Sequence, residues 1–409
     1  MKLLVASVWA YPDRPVEESP LWQSCRRLGV PLHVSQVGQT YVSHYQNKVV
    51  NLAADIGGAD FDYLLYADGD DSFLTRRPEE AVAALAAYGT DFLVSAEVIC
   101  WPCPEQYAGN YPASAALCRY PNAGVWLATR AGWEREYAAL KALAESGTLT
   151  ADAVANDQHL VHERIASGRS RMRVDDRGLL CLNLHHHPAP PAGIRRDVLL
   201  GNVPPVVHGS GGAKRLAGDC WRAAARLADL RAELRYAGPK GVSPVPVPAG
   251  PEQAHNQVGG LLDLIRSLPP LGAVAEVGCY VGVSTEAWAL LVDRVYAVDG
   301  WWDAGACDAF VRRMAGYPNV QSIRADSLRA AKVFPDNSLD LVYLDADHSY
   351  EAVKADILAW LPKVKPGGWI AGHDHMEYWN CGGVIRAVAE VLGGPDRVFS
   401  DMSWLVQNV

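Results

Sequence analysis

Ala275-Glu276-Val277-Gly278-Cys279-Tyr280-Val281-Gly282-Val283-Ser284-Thr285 decides the fold of the C-terminal half of this chain. The apolar run Ala273–Val277 has the length of one buried strand, two glycines four apart follow it, and Val283-Ser284-Thr285 opens a helical segment. A strand that passes through a glycine turn into a helix is the opening unit of an α/β sheet with its ligand site at the carboxyl ends of the strands. At Gly278 no β-carbon keeps a ligand from the backbone, and the amides at the helix start face it. The dinucleotide pattern GxGxxG is absent, which counts against NAD.

Outward from this turn, Val295-Tyr296-Ala297-Val298-Asp299 ends a second strand on an acid, where a ribose diol would find acceptor oxygens. Asp326-Ser327 follows a third strand. Leu341-Val342-Tyr343-Leu344-Asp345 runs into Ala346-Asp347-His348-Ser349-Tyr350-Glu351, and Lys363 to His375 supplies a turn and a fifth strand. The expected strands of this half are Ala273–Val277, Arg294–Asp299, Val320–Ala325, Leu339–Leu344 and Gly368–Ala371. The first half repeats the alternation with Lys2–Val8, Tyr63–Ala67, Asp91–Ala96 and Gly124–Thr129. Both halves are expected to be α/β with mostly parallel sheets. Between them GPKGVSPVPVPAG, from Gly238 to Gly250, alternates proline and valine and reads as an extended connector. The expected division is a first domain over 1–237, a linker over 238–252 and a second domain over 253–409.

In the first half, three carboxylates gather in Asp68-Gly69-Asp70-Asp71, at the end of the apolar run Phe61–Ala67. Clustered carboxylates repel one another, and a divalent cation or exposure to water relieves them. The 409 residues exceed one ordinary core, and 49% hydrophobic with 20% charged residues is a globular composition. Net charge is 37 minus 46, or −9, with no basic block, which disfavours a general nucleic-acid binder. Nine scattered cysteines and no apolar stretch of about 18 residues point to a reducing, cytoplasmic setting without a membrane span. Cys100-Trp101-Pro102-Cys103 has no second CxxC to complete a zinc site and reads as structural, and His185-His186-His187 reads as an exposed loop.

The C-terminal half resembles class I S-adenosylmethionine-dependent methyltransferases, in particular those with a D-x-D-H-S-Y segment such as Asp345 to Tyr350. The resemblance implies a Rossmann-like fold and cofactor contacts from Glu276, Gly278, Tyr280, Ser284, Asp299, Asp326, Ser327 and Asp345. Methyl transfer is an in-line displacement helped by positioning, and His348 is the expected base for an acceptor hydroxyl. Asp345, Asp374 and His375 resemble the cation-binding set of metal-dependent O-methyltransferases.

The first 215 or so residues resemble the glycosyltransferase domain of the procollagen lysyl hydroxylase family, a GT-A fold. LLVASV, LLYADGDDSFL, FLVSAEVICWPCPEQY, YPNAGVWLAT, NDQHLVH and PPVVHGSGGAKRL occur in that order. This resemblance implies that Asp68, Asp71 and His208 hold a metal ion, which with two oxygens and one imidazole suits Mn²⁺. It places Val8 and Lys48 beside the nucleotide of a UDP-sugar and Lys214 within reach of the diphosphate. Asp70 stands where the family more often has tyrosine, so the nucleoside pocket differs there. Glu97, Trp101, Asn122 and Asp157 correspond to residues on the sugar and acceptor side, with Asp157 expected to orient or deprotonate the acceptor hydroxyl.

The chain is therefore expected to be bifunctional, with a GT-A glycosyltransferase fold followed by a Rossmann-like class I methyltransferase fold. The acceptor is a hydroxylated protein residue, a small sugar or a modified base. The alternatives are a nucleotide-sugar and S-adenosylmethionine binding scaffold without turnover in one domain, or a transferase acting on hydroxymethylated DNA bases.

Overall fold

Each apolar run singled out above becomes a strand, and the strands assemble into three sheets. The computed structural model describes residues 1–111, 116, 118–189, 191–236, 257–377 and 381–408. Contacts divide the chain into two units, Met1–Ala224 and Ala225–Val409. The connector expected over 238–252 lies outside the described residues.

The first unit contains β1 (Leu3–Val8), β2 (Leu32–Ser35), β3 (Tyr63–Ala67), β4 (Ser72–Leu74), β5 (Phe92–Glu97), β6 (Tyr120–Thr129), β7 (Arg173–Val174), β8 (Cys181–Asn183) and β9 (Val206–His208). Its large sheet has the order β2-β1-β3-β6-β5-β7. Strands β2 and β3 lie parallel to β1 on opposite sides of it, so the chain changes direction across the sheet at the carboxyl ends of β1 and β3. Such a switch point leaves a crevice for a ligand. Val8 and Asp68 stand there.

A small second sheet, β4-β9-β8, then joins parts of the chain that are distant in sequence. Ser72 of β4 pairs with His208 of β9, and the Gly209 amide donates to the Asp71 carbonyl over 2.8 Å. This register brings His208 beside Asp71. The Asp68 amide donates to the carbonyl of Gly124 over 2.8 Å, which ties the acidic loop to the middle of β6.

The second unit contains β10 (Ala273–Val277), β11 (Arg294–Asp299), β12 (Val320–Arg324), β13 (Leu339–Leu344), β14 (Val364–Gly372), β15 (Arg397–Val398) and β16 (Trp404–Gln407), in the order β12-β11-β10-β13-β14-β16-β15. From β12 to β14 the strands are parallel. The chain runs outward from β10 to β12 and returns to β13, so the switch point lies between β10 and β13.

The two large sheets are parallel in most of their pairings and mixed overall. Strand β6 runs antiparallel to both β3 and β5, and β16 runs antiparallel to β14 and β15. Strands buried on both faces read as continuous apolar runs whichever way they point. The segment 98–119 between β5 and β6 is long enough to return in either direction.

Trp360 is fully buried on the helix Tyr350–Trp360, packs against Phe334 at 5.2 Å between ring centroids, and donates from Nε1 to Ser327 Oγ over 2.8 Å. Trp360→Ala is expected to destabilise the second unit by about 3–5 kcal/mol, read as a lower urea midpoint of its unfolding transition.

Candidate functional site

Each unit carries a cleft at its switch point. In the first unit a cavity of about 350 Å³ is lined by Val8, Lys48, Asp68, Asp70, Asp71 and Lys214, together with Tyr11, Tyr41 and His44. Asp68, Asp71 and His208 bring one donor atom each to within 4.8 Å of one another. His208 Nε2 lies 3.3 Å from Asp71 Oδ1 and 3.9 Å from Asp68 Oδ2. Both His208 Nε2 and Asp71 Oδ1 are buried without a hydrogen-bond partner. Burial would raise the Asp71 carboxyl, but His208 and Lys214 hold it down at about 2. The same pairing outweighs burial at His208 and raises its imidazole. Gly124 leaves room for this cluster, since a β-carbon there would lie 2.5 Å from His208 Nε2 and 2.9 Å from Asp68 Oδ2.

Two lysines balance the acids. The buried Lys48 Nζ lies 2.9 Å from Asp68 Oδ1 and 3.2 Å from Asp157 Oδ2, and these carboxylates outweigh burial and raise it. Lys214 Nζ lies 3.0 Å from Asp70 Oδ2 and 3.3 Å from Asp71 Oδ2. Arg14 Nη1 reaches the other Asp70 oxygen at 2.9 Å.

The expected acceptor-side residues sit apart from the lining of this cavity. Glu97 is buried, with Oε1 accepting from Gln158 Nε2 over 2.5 Å and Oε2 3.6 Å from His185 Nδ1. Burial raises the Glu97 carboxyl. Asn122 is buried, and its Oδ1 accepts from the Gly124 amide over 3.0 Å. Trp101 is half exposed, and its carbonyl accepts from Gln158 Nε2 over 2.9 Å. His185 belongs to the histidine run read as an exposed loop. It is half-buried beside Glu97 instead, because the Asn183 side chain accepts from its backbone amide over 3.1 Å and turns the chain inward.

In the second unit a cavity of about 590 Å³ is lined by Gly278, Tyr280, Asp299, Asp326, Ser327 and Asp345, and also by Trp302, Asp347 and Asp356. Gly278 has φ +92°, and a β-carbon there would lie 2.0 Å from the Asp345 carbonyl oxygen. The strand ends close on each other through Gly278 N to Val298 O and Asp345 N to Val277 O, both 2.8 Å. Asp299 Oδ2 accepts from the amides of Cys279 and Tyr280 over 2.9 and 2.8 Å, and Oδ1 accepts from the Trp301 amide over 2.6 Å. The carboxylate thus holds the glycine turn in place. Ser284 and Glu276 are not in the cavity lining. Both lie behind the turn, where Thr285 donates to the fully buried Glu276.

At the ends of β13 and β14, His348 Nε2 lies 2.9 Å from Asp374 Oδ2 and 3.6 Å from Asp345 Oδ1. His373 Nδ1 lies 3.2 Å from the same Asp374 oxygen. The candidate cation group drawn from the sequence contained His375. The structure gathers Asp345, His373 and Asp374, while His375 follows the end of β14 with its amide donating to the Met402 carbonyl over 3.0 Å. Asp374 has φ +58°, so the chain leaves the extended conformation of β14 and turns between His373 and His375. Asp345 and Asp374 raise the His348 imidazole to about 11.

Residues 275–375 match the family model described as "Methyltransferase domain". The C-terminal unit carries a methyltransferase domain. No curated protein sequence matches the chain. Among solved structures, the N-methyltransferase NodS of Bradyrhizobium japonicum WM9 in complex with S-adenosyl-L-homocysteine is 18% identical. That match covers 44% of this chain and 97% of NodS, with a TM-score of 0.31. A putative methyltransferase of Streptococcus mutans in complex with SAH is 14% identical over 36% of this chain and 93% of its own, with a TM-score of 0.29. A putative rRNA methylase of Clostridium thermocellum is 19% identical over 34% and 81%, with a TM-score of 0.30.

Within the methyltransferase domain, sequence reasoning missed Asp347, Asp356, Trp302 and His373. Asp347 and His373 lie inside stretches already singled out, and their roles depend on which side of the strand end they face. Asp356 lies on a helix, where its sequence neighbours read as an ordinary amphipathic face.

Burial raises the Glu276 carboxyl from its ordinary 4.5 to about 7. The folded state therefore binds a proton more tightly than the unfolded one. The stability contributed by protonated Glu276 is present below about pH 4.5 and is lost as pH rises through about 7. Glu276→Gln is expected to remove a decline of the order of 3 kcal/mol between pH 4.5 and 8, measured as the difference between wild-type and variant urea-unfolding free energies.

Proposed function

We propose that the chain couples two group transfers, a metal-dependent transfer of a sugar from a UDP-sugar to a hydroxylated acceptor, and an S-adenosylmethionine-dependent O-methylation. The first unit would be a GT-A glycosyltransferase and the second a class I methyltransferase acting on the glycoside or on the acceptor, in a cytoplasmic setting.

For the second unit the reading rests on Gly278. Its bare backbone and positive φ open the turn to the methionine part of the cofactor, and Asp299 keeps one lone pair for a ribose hydroxyl while anchoring that turn. Asp326 and Ser327 line the same cavity and would border the adenine. S-adenosylmethionine supplies an electrophilic methyl group, and the domain's part is to align the acceptor oxygen behind it and exclude water.

For the first unit the reading rests on the buried, unpartnered His208 Nε2 and Asp71 Oδ1, two donor atoms that burial makes costly unless an ion meets them. Asp68 completes a set of two oxygens and one nitrogen, which suits Mn²⁺. Such an ion neutralises charge on a leaving diphosphate. Lys48 and Lys214 already stand beside these carboxylates and would be drawn to phosphate oxygens. Asp157, held 3.2 Å from Lys48, would orient the acceptor hydroxyl. The absence of a basic block favours a protein residue or small sugar over a nucleic-acid acceptor.

Isothermal titration of the full chain with S-adenosylmethionine should give binding that Asp299→Ala weakens by about 10- to 100-fold. Absence of binding to the wild type would end the methyltransferase reading. With Mn²⁺ and a panel of UDP-sugars, release of UDP is expected from at least one donor, and Asp68→Ala should slow it by at least about 100-fold. Equal release by wild type and variant would remove the glycosyltransferase reading.

A further inference from the structure

Cys100-Trp101-Pro102-Cys103 lines neither of the two cavities, and its thiols sit in unlike surroundings. Cys100 is buried at 4% exposure, and burial pushes its thiol up to about 11. Cys103 is half-buried and packs against the same cluster, formed by Cys100, Tyr107, Tyr111 and Tyr120. Its Sγ lies 4.0 Å from Nδ1 of His159, which the helix Asp157–Ala166 carries. A reagent from solvent can thus reach one of the two sulfurs and not the other.

The hydrogen bonds behind His159 decide which of its nitrogens presents a lone pair to the thiol. Tyr107 Oη donates its one proton to Glu163 Oε1 over 2.6 Å, and Gln106 Nε2 donates to the same oxygen over 2.7 Å. Burial and Glu163 both raise the Tyr107 hydroxyl, so it keeps that proton. With its proton engaged, Tyr107 Oη meets His159 Nε2 at 2.7 Å as an acceptor. The imidazole proton therefore sits on Nε2, and the Nδ1 lone pair is turned toward Cys103. Burial lowers the imidazole, which leaves it neutral and able to take a proton. A thiol, a neutral base and a group that orients the base make the arrangement that activates a nucleophile. Cys118 and Cys307 are half-buried as well, and among the described residues neither touches an imidazole. Cys381 does, with Sγ 3.7 Å from His348 Nδ1, but it is buried.

We propose that Cys103 and Cys100 are a thiol–disulfide exchange pair that reacts with a low-molecular-weight disulfide such as glutathione disulfide. Cys103 passes its proton to His159 Nδ1, and the thiolate attacks one sulfur of the reagent. A mixed disulfide forms on Cys103, the reagent's own S–S bond breaks, and one thiol leaves with the proton. Cys100 then loses its proton and attacks the Cys103 sulfur, which expels the second thiol and closes a Cys100–Cys103 disulfide. Two protein thiols are oxidised, and one disulfide is reduced to two thiols. Trp101 lies within the ring that this closes, and its carbonyl accepts from Gln158 Nε2 and His162 Nε2, each over 2.9 Å. Gln158 Nε2 also donates to Glu97, so the pair is joined to a residue expected on the acceptor side. The exchange needs no sugar transfer and stands or falls apart from that reading.

The test uses the full chain, reduced and then freed of excess thiol. With limiting iodoacetamide near neutral pH, peptide mapping is expected to find Cys103 alkylated at least about tenfold faster than Cys118 or Cys307. With glutathione disulfide, mass spectrometry should find the mixed disulfide on Cys103 in Cys100→Ser. In the wild type it should find a Cys100–Cys103 disulfide that dithiothreitol reopens. His159→Gln should slow alkylation of Cys103 by about tenfold, with Cys118 and Cys307 unchanged as the sign of a folded variant. If that variant unfolds, the comparison of cysteines within the wild type decides. Equal alkylation of the three half-buried cysteines, a glutathione adduct confined to other positions, a wild-type adduct that never closes to Cys100–Cys103, or undiminished Cys103 reactivity in folded His159→Gln would each overturn the assignment.

Discussion

The carbonyl oxygen of Asp345 leaves no space for a side chain at position 278. A β-carbon there would approach it to 2.0 Å, so the ends of β10 and β13 close on each other only around a glycine. The rest of the second unit's cleft follows from this closeness. With the strand ends joined, the turn from Gly278 to Gly282 stands over the switch point and the Asp299 carboxylate reaches two of its amides. The first unit obeys the same kind of constraint at Gly124, where His208 and Asp68 occupy the volume that a side chain would need. In both units a missing β-carbon, just after β10 or within β6, is what permits polar atoms to crowd together beside it.

Crowding carboxylates has a cost, and the two units meet it with different countercharges. In the first, Lys48, Lys214 and Arg14 stand on flexible stems beside Asp68, Asp70, Asp71 and Asp157. A lysine can leave a carboxylate and follow an incoming anion, because its charge sits at the end of a four-carbon chain. In the second, the partners of Asp345 and Asp374 are imidazoles on strand ends and short loops, which have little freedom to move away. The first arrangement leaves its cations free to move. The second suits a fixed centre.

The nine strands expected from apolar runs are all present, because a run of five or six buried residues is a local property. Strand direction was not legible, since β6 and β16 carry the same residue types as the strands of the parallel pairs. The three-residue strands β4, β8 and β9 were too short to leave a pattern, and yet it is their register that sets His208 against Asp71. The cavity-lining residues Gly278, Asp299, Asp326 and Asp345 could be named in advance because each ends a strand or begins a helix. His373 and His375 could not be told apart, as both flank Asp374 and only the turn of the chain decides which one faces Asp345. His185 was misread for a related reason. A run of three histidines looks solvent-exposed until a side chain elsewhere, here Asn183, captures the backbone and points one ring inward.

Asp299 is the point where fold and site cannot be separated. An ionised carboxylate offers about four lone-pair directions, and three are already taken by the amides of Cys279, Tyr280 and Trp301. One remains toward the cavity. An acid at the end of a strand that served only to receive a ligand would be free to rotate, and binding would have to fix it. Here the turn has fixed it beforehand, and the ordering cost that a ligand would otherwise meet is already covered by folding. The neighbouring Trp301 shares in this arrangement, with its ring packed on Phe310 and its Nε1 donating to the Tyr280 carbonyl over 2.8 Å. The adjacent Trp302 has no such anchor among the described residues and remains 88% exposed on the cavity wall. One tryptophan holds the turn, and the next is left as bare aromatic surface where a bound ligand would gain most by covering it.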